Sequence, residues 1–461
     1  MSKPPSTQLP HRVLAWYGDD FTGSTDVLEV LAKAGLAPVL FLRTPSAADI
    51  AAFPGARAIG LAGVSRARTP AWMDSHLPAL LAALDPAGAS LLHYKVCSTF
   101  DSSPSFGSTG RALEIGRRLT GASAATPVVV GAPPLLRYTA FGHLFATADG
   151  VTWRIDRHPT MSRHPVTPML ESDLLRHLAS QTTLPLHLFD LRALRKPNFA
   201  ERYSALTEVH DGAMLIDVID EDSMARAGEL VWKGAGRGRF CIGSSGLEYA
   251  LVEYWRNAGL LGPIPLRAAV SEHAQLLSVS GSCSPATALQ IEAAEQVGHV
   301  AIRIDPAALL GDACTRALDG AFADAAAALA GGASVIVHTA RGPDDPSIGG
   351  FHHASKAIGL DVATAGAAVG AALGALMRRL LRAHPLRRIA VAGGDTSGEV
   401  AHALGLDALT MVGSLAPGSP LCRAHAPRND VDGLDGLEIV LKGGQVGGRT
   451  FFEDVRRGRA S

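Results

Sequence analysis

Val391-Ala392-Gly393-Gly394-Asp395-Thr396-Ser397-Gly398, VAGGDTSG in one-letter code, is where an apolar strand (Arg388–Ala392) runs into paired glycines, an acid and two hydroxyls, ahead of a helical pattern that begins at Glu399. A phosphate site needs that order. Glycines let backbone N–H groups approach an anion closely, the following helix N-terminus offers unpaired donors, and Asp395 offers a carboxylate to Mg²⁺ or to a ribose hydroxyl. The same residues also suit a plain strand-to-helix turn, tight at the glycines and capped by Ser or Thr.

Two further stretches repeat the pattern. Leu276–Thr287 reads LLSVSGSCSPAT, a strand, then Gly281 among hydroxyls, then a helix opened by Pro285 at its favoured first position. Leu437–Gly448 reads LEIVLKGGQVGG, a strand followed by Lys442 and a run of glycines. Three strand ends of this kind in one half of the chain imply three loops facing one polyanion. No GxxxxGK[ST] occurs, so the chain is not a P-loop protein.

Strand and helix patterns alternate from end to end, which predicts an α/β fold of two domains, each with a mainly parallel sheet flanked by helices and the active site in the cleft between them. At 461 residues the chain exceeds what one core usually serves. The Pro- and Gly-interrupted LLGPIPL, Leu260–Leu266, divides the strand series and predicts domains at 1–260 and 267–461. Lys+Arg 42 against Asp+Glu 43 argues against a nucleic-acid or membrane-surface partner, either of which calls for a basic field. The five scattered cysteines lack CxxC spacing, and the polar N-terminus MSKPPSTQLPHR lacks a signal-type apolar run. Both point to a reduced, cytoplasmic chain without a structural metal site. The most apolar helix pattern, Val362–Leu376, is built from Ala and Gly and is shorter than a bilayer span.

In the first half, Gly18-Asp19-Asp20-Phe21-Thr22-Gly23 sits at the end of the first strand, where open α/β sheets place ligands. Adjacent carboxylates there need a cation, a basic side chain or a polyol to share the site. Asp19 and Asp20 are therefore candidates for catalysis, with capping of the next helix as the structural alternative. Lys95-Val96-Cys97-Ser98-Thr99-Phe100-Asp101 also follows a strand and offers Lys95 to a carboxylate and Ser98 and Asp101 to hydroxyls. Arg66, in GVSRAR, is a further carboxylate candidate. Arg157-His158-Pro159-Thr160-Met161-Ser162-Arg163-His164-Pro165 carries no helical or strand period. An anionic substrate suits Arg157, His158 and His164 better than a metal does, since arginine forks onto carboxylates and no ligand carboxylates stand at metal-site spacing.

Taken together, GDDFTGSTD (Gly18–Asp26), KVCSTFDSSP (Lys95–Pro104), RHPTMSRHPVTP (Arg157–Pro168), VSGSCSPAT (Val279–Thr287), GGDTSG (Gly393–Gly398) and KGGQVG (Lys442–Gly447) give the chain a resemblance to the four-carbon acid sugar kinases across nearly its whole length. The resemblance implies ATP-dependent, Mg²⁺-assisted phosphorylation of a small acid such as threonate, erythronate or 3-oxo-tetronate. It implies sugar acid on the first domain and ATP on the second, held by Ser282, by Gly393, Gly394, Asp395, Thr396 and Ser397, and by Gly443 or Gly444. The RHPTMSRHP block and the SSPSFGSTGRALEIG stretch look more elaborate than their counterparts in that family, which keeps a branched acceptor such as 3-oxo-isoapionate open. The expected partners are the sugar acid and ATP, with a homodimer left open. A nucleotide-dependent oxidoreductase would need GxGxxG at a first strand–helix turn, which the chain lacks. A non-catalytic sugar-acid binding protein would have no use for three anion loops.

Overall fold

A computed structural model describes residues 8–148, 150–163, 167–235, 238–263, 270–427 and 433–460. The alternation in sequence becomes an α/β fold of mainly parallel sheet flanked by helices. The chain divides into two compact units, and the stretch joining them in sequence, 264–269, which contains part of the expected LLGPIPL boundary, lies outside the described residues.

Strands of the first half are β1 (Leu14–Gly18), β2 (Val39–Phe41), β3 (Ala58–Ala62), β4 (Leu91–Lys95), β5 (Thr126–Val129), β6 (Arg137–Ala140), β7 (His143–Ala148), β8 (Val151–Arg154), β9 (Leu186–Phe189), β10 (Ala213–Ile216) and β11 (Phe240–Gly243). In the first unit they form a wholly parallel sheet of order β3-β1-β4-β11-β5-β10-β9. Every position of β1 and β4 is buried, because helices cover both faces, and such strands read as unbroken apolar runs rather than alternating ones. Strands β6, β7 and β8 form a separate antiparallel meander. Sequence reasoning found neither this meander nor β11.

The second unit contains β12 (Leu277–Ser280), β13 (Val300–Arg303), β14 (Val335–His338), β15 (Arg388–Ala392), β16 (Ala408–Ala416), β17 (Ser419–His425) and β18 (Glu438–Lys442). Strands β13-β14-β12-β15-β18 run parallel, and β17 and β16 continue the sheet antiparallel. Strand β2 completes it. Although it lies early in the chain, β2 groups with the second unit, pairing Leu40 and Phe41 with Leu409 and Ala408 of β16, and Arg43 closes the junction with an ion pair to Asp407.

The helix after β15 starts at Gly394, not at Glu399 as the pattern predicts, so Asp395, Thr396 and Ser397 form its first turn. Gly393 makes this early start feasible: its φ of +123° is closed to residues with a side chain, and it turns the strand into the helix within one residue. The Ala- and Gly-rich helix Val362–Ala383 packs beside it. A Cβ at Gly370 or Gly374 would lie 2.7 and 2.5 Å from the Cβ atoms of Glu399 and Ala403, so the small residues set a close helix–helix approach. Among the described residues no single helix is long and apolar enough to cross a membrane; Pro346–Ala357 and Val362–Ala383 pass that test only as a pair bent by 111°.

Arg388, at the start of β15, is fully buried. Its Nε and Nη2 donate to Glu438 Oε2 at 2.8 and 2.6 Å, and its Nη1 donates to the Val455 carbonyl at 2.7 Å. Removing one partner of a buried pair strands the other charge at a cost of about 3–5 kcal/mol. Glu438→Ala is expected to destabilise the second unit by about 3 kcal/mol in chemical denaturation, and a loss under about 1 kcal/mol would show that the guanidinium finds other partners.

Candidate active site

In the first unit the candidate residues collect at the carboxyl ends of adjacent strands β3, β1 and β4. Asp19 follows β1 directly and is 2% exposed. Its backbone N–H donates to Lys95 O at 2.9 Å and its carbonyl accepts the Arg66 N–H at 2.9 Å, which fastens three strand ends together. Both of its carboxylate oxygens are taken by Arg66, from Nε at 3.0 Å and Nη2 at 2.6 Å. The same Nη2 reaches Asp20 Oδ1 at 2.9 Å, so one guanidinium serves two adjacent carboxylates. Asp20 also caps the helix Phe21–Lys33, accepting the Gly23 N–H at 3.0 Å and the Thr22 hydroxyl at 3.1 Å. The helix cap and the contact with Arg66 coincide in this residue.

The two acids differ electrically. Burial pushes Asp19 up to about 6, with Arg66 pulling against it and Asp20 adding to it. Burial acts upward on Asp20 too, but Arg66, Lys95 and the Thr22 hydroxyl outweigh it and hold the carboxyl below its ordinary value. Lys95, at the end of β4, is 3% exposed, and its Nζ donates no hydrogen bond among the described residues. A Cβ at Gly23 would stand 2.2 Å from that nitrogen and 2.1 Å from Asp20 Oδ1, so the ammonium lies over the first turn of the helix in space that only glycine leaves open.

Asp101 joins the cluster through the loop after β4. It is buried, accepts from the Thr99 hydroxyl at 2.5 Å and from the Thr167 hydroxyl at 3.4 Å, and its charge acts on Asp20 and Arg66. Phe100, just before it, has a φ of +57°. Ser98 is half-buried in the same loop. Thr167 escaped sequence reasoning; its signal was only that it lies next to the last residue, Pro168, of the RHPTMSRHPVTP block.

Arg157 is exposed at a 3-10 turn and makes no hydrogen bond or ion pair among the described residues. His158 is buried and accepts the Thr160 and Met161 N–H groups at Nδ1, both at 3.2 Å, which fixes Nε2 as the protonated nitrogen. His164 lies outside the described residues.

In the second unit the three glycine loops leave β12, β15 and β18, which are sheet neighbours running in one direction. Gly281 N–H donates to Ala392 O at 3.1 Å and Gly393 N–H to Lys442 O at 2.9 Å, so each loop is fastened to the next. A Cβ at Gly281 would lie 2.2 Å from Thr396 Oγ1, one at Gly393 would lie 2.9 Å from the same atom, and one at Gly444 would lie 2.8 Å from Ser282 Oγ. Ser397 turns inward, its hydroxyl donating to Gly393 O at 2.7 Å, whereas Asp395 is exposed on the first turn. Gly443 follows Lys442 out of β18. Thr287 and Gln290, which sequence reading left without a role, hold the third loop from the helix Pro285–Gln296: Thr287 Oγ1 lies 2.9 Å from Gly444 O, and Gln290 Nε2 donates to the carbonyls of Val446, Gly447 and Gly448. Side-chain-free backbone around the N-terminus of the helix Gly394–Ala403 fits a polyphosphate. No three His, Cys, Asp or Glu side chains among the described residues converge as a metal site.

Comparison with known proteins agrees with this division. Residues 14–251 match the family model of a sugar-binding N-terminal domain, and residues 277–452 that of a nucleotide-binding C-terminal domain. A 3-oxo-isoapionate kinase from Paraburkholderia graminis is 51% identical over 97% of this chain and 94% of that protein. A 3-oxo-tetronate kinase from Methylobacterium radiotolerans is 32% identical over 95% of this chain and 97% of its own length. A solved structure from Salmonella typhimurium LT2 shares the fold, with a TM-score of 0.73 at 24% identity, covering 95% of this chain and 98% of that one.

The carboxylate pair makes a direct electrostatic prediction. Carbon-13 NMR of the aspartate carboxyls is expected to find Asp19 titrating near 6 and Asp20 well below it. Because Arg66 lowers Asp19, Arg66→Gln is expected to move Asp19 further up. An Asp19 that titrates as an ordinary carboxylate in both proteins would contradict the arrangement.

Proposed function

The chain belongs to the four-carbon acid sugar kinase family, and on that premise we propose that this sugar-acid kinase takes a branched 3-oxo acid of the 3-oxo-isoapionate kind as its acceptor, with ATP as donor. The observation that carries the choice of acceptor is the 51% identity to a protein named for that substrate, against 32% to the tetronate relative. The second reading, a C4 acceptor such as threonate, erythronate or 3-oxo-tetronate, is favoured by the further relatives named for 3-oxo-tetronate. These relatives are named as kinases, which speaks against an oxidoreductase and against a non-catalytic binder.

The first unit would hold the acid. Lys95, whose ammonium donates no hydrogen bond among the described residues, suits the substrate carboxylate, and Ser98 and Asp101 suit its hydroxyls. Asp20 suits the base. Both Asp19 oxygens are occupied by Arg66 and its side chain is 3% exposed, whereas the Asp20 side chain is 23% exposed and stays ionised beside Arg66 and Lys95. Asp19 would then orient Arg66. The second unit would hold ATP on the Ser282, Gly393–Ser397 and Gly443–Gly444 backbone. Mg²⁺ would enter with the phosphates, Asp395 being the carboxylate at hand; bound there, it would neutralise phosphate charge. In-line transfer then requires the acceptor hydroxyl, relieved of its proton by Asp20, to meet the γ-phosphorus. Five free cysteines fit a reducing compartment, and we place the enzyme in the cytoplasm.

The test is steady-state ATP-dependent phosphorylation of 3-oxo-isoapionate and 3-oxo-tetronate, with the phosphorylated position read by NMR. A kcat/KM at least about tenfold higher for the branched acid is expected. The opposite preference would hand the chain to the C4 acceptors, and no turnover with either would defeat the acceptor assignment altogether. Asp20→Asn is expected to lower kcat by about tenfold or more while leaving the ATP KM unchanged.

A further inference from the structure

Lys442 stands at the end of β18 with its side chain fully buried beneath the glycine loops. The sequence leaves two roles for it, a phosphate-neutralising cation or the polar end of a strand. The geometry excludes direct contact with a phosphate and gives the residue more partners than the polar end of a strand would have. Its ammonium donates to Thr287 Oγ1 at 3.0 Å, to Gly443 O at 3.2 Å and to Gly444 O at 3.3 Å, so its three protons are spent inside the protein. Its own backbone carbonyl accepts the Gly393 N–H at 2.9 Å.

Thr287 passes the contact on. With one lone pair facing the ammonium, its hydroxyl proton has two acceptors in reach, Gly444 O at 2.9 Å and Ser282 Oγ at 3.1 Å. Ser282 Oγ also accepts the Ser284 N–H at 3.2 Å, which leaves the Ser282 hydroxyl proton to point away from the protein's own donors. One buried residue therefore touches or relays to all three loops: 281–284, 393–397 and 443–448.

No carboxylate among the described residues pairs with this cation. The Phe451 ring lies 5.4 Å from Nζ, and of the acids on the elements packed around it, Glu292 and Glu295 of the helix Pro285–Gln296, Asp395 and Glu399 of the helix Gly394–Ala403, and Glu453 and Asp454 of the helix Phe451–Arg457, none acts on its charge. Burial alone, with no neighbouring charge opposing it, pushes Lys442 down to about 8.

We propose that Lys442 is a positioning residue of the nucleotide site, which ties the three glycine loops into one anion-binding surface from below and whose unpaired charge is balanced by the phosphates of the bound nucleotide. The proposal rests on the second unit being the ATP site. Its physical logic lies in the count of donors. Protonated, the ammonium satisfies three acceptors; neutral, it has two protons for the same three oxygens and turns a lone pair toward one of them. The loops then lose both a hydrogen bond and the positive charge beneath them. Nucleotide affinity is thus present below the pKa of Lys442 and falls as pH rises through it, and bound phosphate shifts that pKa upward by the reciprocal linkage.

Calorimetric titration of the full chain with Mg²⁺–AMP-PNP from about pH 7.5 to about pH 9.5 tests this, with Lys442→Met and Thr287→Val as variants. Wild type is expected to lose about fivefold or more in affinity across that range. Lys442→Met is expected to bind about tenfold more weakly at the lower pH and to lose the alkaline fall. Thr287→Val, which keeps the lysine and removes only the relay to Ser282, is expected to bind more weakly while keeping the fall. Affinity for 3-oxo-isoapionate should be the same in all three proteins. If both variants bind the nucleotide like wild type, with the alkaline fall intact or with only the melting temperature reduced, Lys442 is merely structural and the inference fails while the ATP-site assignment stands. If wild type itself does not bind AMP-PNP, both fall together.

Discussion

Parallel strand pairing is the constraint on which both sites depend. Neighbouring strands that run in one direction must end at the same edge of the sheet, so the loops that leave them are brought together whatever their separation in sequence. The registers Gly18↔Ala62 and Gly18↔Lys95 place the end of β1 between those of β3 and β4, and so bring Asp19, Arg66 and Lys95 within bonding distance of shared partners. The registers Ser280↔Ala392 and Ala392↔Lys442 do the same for the three glycine loops. Helices cover the faces of such sheets, which leaves the carboxyl edge as the place where polar side chains concentrate without disrupting a core.

The two edges hold charge differently. In the first unit cations and anions alternate at close range: Arg66 is shared by Asp19 and Asp20, and Lys95 lies over the helix that Asp20 caps. Such a cluster is close to neutral and can exchange a carboxylate or hydroxyls of a polyol acid for its internal contacts. The second unit offers backbone N–H groups, hydroxyls and one buried ammonium, and the only acid among its loop residues is the exposed Asp395. A surface of donors with a single exposed acid suits a multiply charged anion and its metal ion, and it suits less well a small acid that also needs its hydroxyls accepted.

Much of this was legible in the sequence because it depends on local order. VAGGDTSG announces its strand, its glycine turn and its helix through residues that are neighbours in the chain, and the buried parallel strands announce themselves as unbroken apolar runs. What the sequence hid is what tertiary contact decides. The helix start at Gly394 depends on one glycine φ, not on apolar periodicity, which is why the pattern points to Glu399. Strand β2 joins the second unit because β16 accepts it, and nothing within Val39–Phe41 records that partner. Strand β11, Phe240–Gly243, stands between two glycine-rich stretches, GAGRGR before it and GSSG at its end, which read as turns. Arg66 reads as one weak candidate among several arginines, yet it is the pivot of the acid pair. Arg157 reads as one of several substrate candidates in an irregular basic block and lies exposed, because such a run carries no information about which way each residue faces.

The proposed function places two chemically distinct sites on separate strand edges, acid on the first and nucleotide on the second. Calorimetry on Gly393→Ala and Asp20→Asn with 3-oxo-isoapionate and Mg²⁺–AMP-PNP tests it most directly, because Gly393 stands at φ +123° where a side chain is strained and Asp20 lies on the other unit. The account predicts that Gly393→Ala loses the nucleotide and keeps the acid, and that Asp20→Asn weakens the acid and keeps the nucleotide. Loss of the same ligand in both variants, or the reverse assignment, would contradict it.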